Sequence, residues 1–122
     1  MNAKTLANVL IVSVDERIDH LSAPGFEAEL LPHVEGCRGE AKKLLIDCTR
    51  LNYISSAGLR VLMIAAKGCR KQEGKVVLAA LQPSIQEIFR ISRFDLVFEI
   101  FPSVRAALET LSPQAAALYN EA

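Results

Sequence analysis

Three short apolar runs, each nearly unbroken rather than alternating with polar residues, constrain this chain more than any other feature. Val9-Leu10-Ile11-Val12-Ser13-Val14 stops at Asp15-Glu16-Arg17, Leu44-Leu45-Ile46 runs into Asp47, and Val76-Val77-Leu78-Ala79-Ala80 follows Gly74-Lys75. A strand with one wet face alternates; a strand covered on both faces does not. Helical patterns lie between these runs. Ser22 and Pro24 open a stretch in which Phe26, Leu30 and Val34 recur every four residues, with Pro32 expected to kink that helix or end it early. Leu59, Leu62, Met63 and Ala66 make a stripe after Ser56, with Lys67, Arg70 and Lys71 suited to the negative end of the dipole. Pro83 starts a short helix with Ile85, Ile88 and Phe89 inward; Leu96-Val97-Phe98 begins a fourth strand to Ile100; Pro102 opens a helix using Val104, Ala107, Leu108 and Leu111. The alternation predicts an α/β fold, a mainly parallel central sheet of about four to five strands flanked by about four helices. The domain is expected over residues 1–112, with 113–122 a helical extension or frayed tail.

At 122 residues the chain supports one core. Basic and acidic residues number fourteen each, so no global field draws nucleic acid or an anionic membrane, and a protein or small-molecule partner is expected. Residues 1–8 lack a signal-peptide pattern, and no apolar run approaches the ~20 residues that span a bilayer, so a cytoplasmic protein without membrane insertion is expected. Cys37, Cys48 and Cys69 have no metal-ligand spacing and read as reduced thiols.

The motifs of catalysis are missing. There is no GxGxxG after a strand, no P-loop and no Gly-x-Ser-x-Gly elbow. A Ser-His-Asp device would have to recruit His20 beside Asp19, or His33. Asp15, Glu16 and Asp19 read as solvated charge on a loop, and Asp47 as a carboxylate accepting backbone hydrogen bonds rather than a metal ligand. No enzyme activity, metal or cofactor is expected.

What remains is Ile54-Ser55-Ser56-Ala57-Gly58-Leu59-Arg60, a serine turn opening an apolar helix. Ser56 has two readings there. It is an N-cap whose hydroxyl satisfies an orphan amide, or it is a phosphorylation site at an end of the helix that tolerates an anion. Spacing alone leaves both open.

The chain resembles the STAS-domain family, and within it the stand-alone bacterial anti-sigma factor antagonists. The likeness runs from Ile18-Asp19-His20 through Leu45-Ile46-Asp47 and the serine turn to Gly74-Lys75-Val76-Val77, Pro83-Ser84-Ile85 and Ile88-Phe89-Arg90-Ile91-Ser92. The resemblance implies that Ser56 is the phosphorylated residue, with Ser55 a second candidate. It implies a binding face of Asp19, Ser55, Ser56, Gly58, Leu59 and Arg60 for an anti-sigma factor that is also a serine protein kinase. It also implies a PP2C-type phosphatase that restores the unmodified form. The alternative is a STAS domain that senses a nucleotide or other small molecule without phosphorylation. The chain departs from the family's pattern in Ser55 for aspartate, Ala57 for serine or threonine, and Glu16 and Arg93 for glycines. Its amino-terminal segment is short, so the family's first edge strand is expected to be shortened or absent.

Overall fold

The computed structural model describes residues 1–120. Its elements in chain order are β1 (Asn2–Leu6), β2 (Val9–Ser13), β3 (Arg17–Ile18), α1 (Ala23–Glu35), β4 (Lys43–Asp47), β5 (Tyr53–Ile54), α2 (Ser56–Lys71), β6 (Val76–Ala79), α3 (Pro83–Ile91), a 3₁₀ turn (Phe94–Leu96), β7 (Glu99–Phe101), α4 (Val104–Leu111) and α5 (Pro113–Leu118). Five strands form one sheet in the order β1-β2-β4-β6-β7, and β3 and β5 form a second, two-stranded ladder. All pairings are parallel except β1 with β2.

The unbroken apolar runs follow from this topology. Leu10, Val12, Leu44, Ile46 and Leu78 point into a core roofed by α1, α2 and α3, where they meet Leu30, Leu62 and Phe89. Their chain neighbours Val9, Ile11, Leu45, Val77 and Ala79 point into a second core under α4 and α5, against Ala107, Leu108 and Ala115. Successive side chains on a strand face opposite ways, so a sheet with two cores needs apolar residues at every position.

Several expectations are corrected. The first edge strand is present in full, paired from Asn2↔Ser13 to Leu6↔Val9 across a turn at Ala7 and Asn8, with Ala7 at φ 50°. It is legible only through its partner, because Asn2, Ala3, Lys4 and Thr5 are exposed. Pro32 neither ends nor shortens α1, which continues to Glu35 because Leu30 and Val34 are buried on either side of it. The fourth strand starts later than Leu96: that residue lies in the 3₁₀ turn after Arg93, whose φ is 66°, and is 76% exposed. The buried stripe of α2 is Gly58, Val61, Leu62, Ala65, Ala66 and Cys69. Leu59 and Met63 are only half-buried on its flanks. Small residues take the centre because the helix lies close on what it covers. The stretch after Pro113 is helical to Leu118, with Ala115 fully buried; Glu121 and Ala122 lie outside the described residues.

Candidate functional site

The serine turn is built on the ladder of β3 and β5. Arg17 pairs with Tyr53 and Ile18 with Ile54. The Asn52 amide donates to the Glu16 carbonyl at 2.8 Å, and the Ser55 amide to the Ile18 carbonyl at 2.8 Å. The ladder thus sets the loop before α1 beside the first turn of α2. Its outer face is closed by Arg17, whose guanidinium lies 4.1 Å from the centre of the Tyr53 ring, and by an Arg50–Glu16 ion pair at 3.2 Å.

The two serines divide their work. Ser55 is extended (φ −85°, ψ 171°), and its hydroxyl accepts from the Gly58 amide at 3.2 Å, so Ser55 is the N-cap. Ser56 occupies the first helical position. It is exposed, and its hydroxyl hydrogen-bonds to nothing among the described residues. The first amides of any α-helix lack intrahelical acceptors and carry the positive end of the dipole, so negative charge on Ser56 would sit in a favourable field.

Asp19, one residue beyond the ladder, organises its own loop. Its Oδ1 accepts from the amides of Leu21 (3.0 Å) and Ser22 (2.9 Å), and its own amide donates to Ser22 Oγ at 3.0 Å. Its carbonyl accepts from the Ala23 amide at 2.9 Å. This is a reciprocal capping arrangement, so Asp19 rather than Ser22 starts the helical turn leading into α1. Arg17 Nε donates to the other carboxylate oxygen at 3.3 Å. The Ser22 amide above all, with the Ser22 hydroxyl, Arg17 and the Leu21 amide, holds the carboxyl below its ordinary value of 3.8.

Of the other expected site residues, Arg60 is exposed and Leu59 half-buried, whereas Gly58 is buried. A Cβ at Gly58 would come within 2.7 Å of both Ile18 Cγ2 and Ile54 Cγ1, so its bareness lets α2 press onto the ladder. Its place is in the packing beneath the face. Three residues that sequence reasoning passed over join that face: Arg17, Tyr53 (39% exposed) and Leu21 (79% exposed). Strands of two residues carry no readable period, so no signal in the chain marked Arg17 or Tyr53. A cleft of about 270 Å³ lined by Arg17, Leu21, Phe26 and Glu29, among others, opens beside Asp19.

Hydrolytic geometry does not form. His20 is exposed and makes no hydrogen bond to Ser56 or to Asp19, whose carboxylate is committed to Leu21, Ser22 and Arg17. Asp47 accepts from the Thr49 amide (3.0 Å), the Thr49 hydroxyl (2.6 Å) and Ser13 Oγ (3.3 Å), which makes it a loop-bracing carboxylate. Among the described residues no three His, Cys, Asp or Glu side chains group closely enough to hold a metal ion, and no helix is long and apolar enough to cross a membrane.

The family model described as the STAS domain matches residues 1–107. This chain belongs to the STAS domain family. Among its relatives is the Bordetella bronchiseptica protein BtrV, whose name describes it as an anti-sigma factor antagonist. It is 39% identical over 99 residues, which is 81% of this chain and 83% of the relative. Two solved STAS-fold structures show the same architecture. An anti-sigma-factor antagonist domain protein from Planctomyces limnophilus superposes with a TM-score of 0.82 at 17% identity, covering 91% of this chain and 97% of the other. The Bacillus cell fate determinant SpoIIAA in its phosphorylated form gives 0.67 at 12% identity, covering 90% and 97%. At such identities the likeness is one of fold. Within the STAS fold of this chain, the ladder, the Asp19 turn and the start of α2 make one continuous exposed face.

Proposed function

We propose that this STAS domain is an anti-sigma factor antagonist that works by partner switching, with Ser56 as its phosphorylation site. The observation that carries the reading is the division between adjacent serines. Ser55 commits its hydroxyl to the helix cap, and the exposed Ser56 hydroxyl is left free. The relation to BtrV supports the same class of function.

Unmodified, the face around Asp19, Ser55, Ser56, Leu59 and Arg60 docks on an anti-sigma factor that is also a serine kinase, with Gly58 setting its height. The kinase, using its own ATP and magnesium, phosphorylates Ser56. The modification adds ~1.5–2 negative charges at the first helical position, where backbone amides and the dipole accommodate them, so the fold stays as it is. A partner docked there meets a dianion it must desolvate, and the complex separates. A PP2C-type phosphatase resets the cycle. The domain, residues 1–112 with 113–122 as an extension, is a cytoplasmic binding protein and catalyses no step itself.

The test is to incubate the protein with the anti-sigma serine kinase encoded nearest to it and ATP, then map the product by mass spectrometry. One phosphate on Ser56, lost in Ser56→Ala, is expected. Ser56→Asp should weaken association and Ser56→Ala should bind constitutively. Equal binding by the two variants, or phosphate placed elsewhere, overturns the proposal. The alternative, a STAS domain sensing a nucleotide or other small molecule, has the cleft lined by Arg17, Leu21 and Phe26 in its favour and predicts saturable small-molecule binding with Ser56 unmodified.

A further inference from the structure

Beyond Arg60, the exposed face of α2 carries charge that the partner switch does not use. Between Ser56 and Lys71 there are four cations, Arg60, Lys67, Arg70 and Lys71, and no acid; all fourteen Asp and Glu residues lie elsewhere. All four cations are exposed, and none makes an ion pair among the described residues. At about 100° per residue, Arg60, Lys67 and Lys71 fall within about 60° of Ser56 around the helix, and Arg70 within about 40° on the other side. Ile64, 37% exposed, lies beside them. At ~1.5 Å per residue the stripe runs about 22 Å from the free serine hydroxyl to Lys71.

A neutral molecule that places four unpaired cations in line on one helix has a local field without a global one. We infer that this stripe is an extension of the Ser56 face, docking an acidic protein surface on the same partner that reads Ser56. Complementary charge there would steer the encounter and fix the orientation in which the serine is presented. The inference rests on the partner-switching reading. A membrane fits the face poorly, because the apolar side of α2 is already buried in the core and only Ile64 and the half-buried Leu59 and Met63 accompany the cations. Duplex nucleic acid fits poorly as well. Such binders neutralise about 6–10 phosphates, more than this stripe supplies.

The test is Lys67→Glu with Lys71→Glu, and the milder Lys67→Gln with Lys71→Gln, both far from the Ser56 turn and checked for native circular dichroism. Affinity for the purified anti-sigma serine kinase is measured across a salt series, with heparin and phosphatidylserine vesicles as polyanion controls. The reversal should weaken kinase binding roughly tenfold at low salt, mainly through the association rate, and neutralisation should do so by less. The parent and both variants should converge near 1 M salt, where screening reaches ~3 Å. Kinase binding that depends on Ser56 but is indifferent to both variants overturns this inference and leaves the switch standing. The same holds if the variants lose only heparin or vesicle binding. No kinase binding by the parent chain overturns both.

Discussion

The Ser55 amide donates to the carbonyl of Ile18 at 2.8 Å, and through that bond the last residue of one short strand fixes the residue that caps α2. Asp19 follows Ile18 and Ser56 follows Ser55, so this bond, closing the β3–β5 ladder, sets two loops far apart in sequence side by side.

Ser55→Ala removes the side-chain acceptor for the Gly58 amide and should lower unfolding free energy by about 1 kcal/mol. Ser55→Asp, an equally good cap, should restore it. Urea unfolding followed by circular dichroism reads this as a shifted midpoint with an unchanged slope. Ser56 should remain a kinase substrate in both variants, since its hydroxyl takes no part in the cap.

Gly58→Ala should destabilise the protein even though alanine favours helix by ~0.8–1.0 kcal/mol. The added methyl meets Ile18 Cγ2 and Ile54 Cγ1 at 2.7 Å, branched atoms close to the backbone that cannot swing away. Overpacking of this kind costs ~1–3 kcal/mol, so the net change should be a loss. In an Ile54→Ala background, which removes both Cγ1 and Cδ1, Gly58→Ala should cost less melting temperature than it does in the parent. An equal cost in both backgrounds would show that the clash with Ile54 is not what costs the stability.

Asp19 binds its protons more weakly folded than unfolded, because the Ser22 amide and its neighbours favour the carboxylate. Its stabilising effect is therefore fully present above the ordinary value of 3.8 and fades as pH falls through the lower folded value. Asp19→Asn should be less stable than the parent at neutral pH, and the gap should narrow on acidification below about pH 4. Thermal melts of both proteins across that range test the sign.

All three thiols are buried, but their chemistry differs. Cys37 is lowered toward the neutral range by a hydrogen bond with Cys69, which is itself raised, while Cys48 is pushed up by complete burial and by Asp47. Because all three are buried, iodoacetamide at pH 8 should alkylate the native protein slowly, and peptide mapping should show Cys37 modified before Cys69 and Cys48. Cys69→Ala should slow the reaction at Cys37.

The sheet and its helices were legible because burial on two sides leaves a coarse mark: Val9 to Val12, Leu44 to Ile46 and Val77 to Ala79 are apolar at every step. Other elements leave no such mark. Polar β1 is held by its partner strand, and β3 and β5 are two residues each. At Pro32 the burial of Leu30 and Val34 outweighs the helix-breaking tendency of the ring. At the site, a serine turn opening α2 was legible, but which serine caps the helix was not. That depends on the Ser55 backbone being drawn to Ile18, a contact between residues thirty-seven apart that no local pattern encodes. The packing role of Gly58 depends on the same junction.

The sheet also keeps its two cores apart. Everything around Ser56 belongs to the layer of α1, α2 and α3, whereas α5 is packed on the opposite side, where Ala115 is fully buried and the Arg105 guanidinium lies 5.3 Å from the Tyr119 ring centre. Cargo fused behind α5 would hang from the rear of the molecule. A fluorescent or affinity handle belongs there, where it can report on traffic at the front without obstructing it.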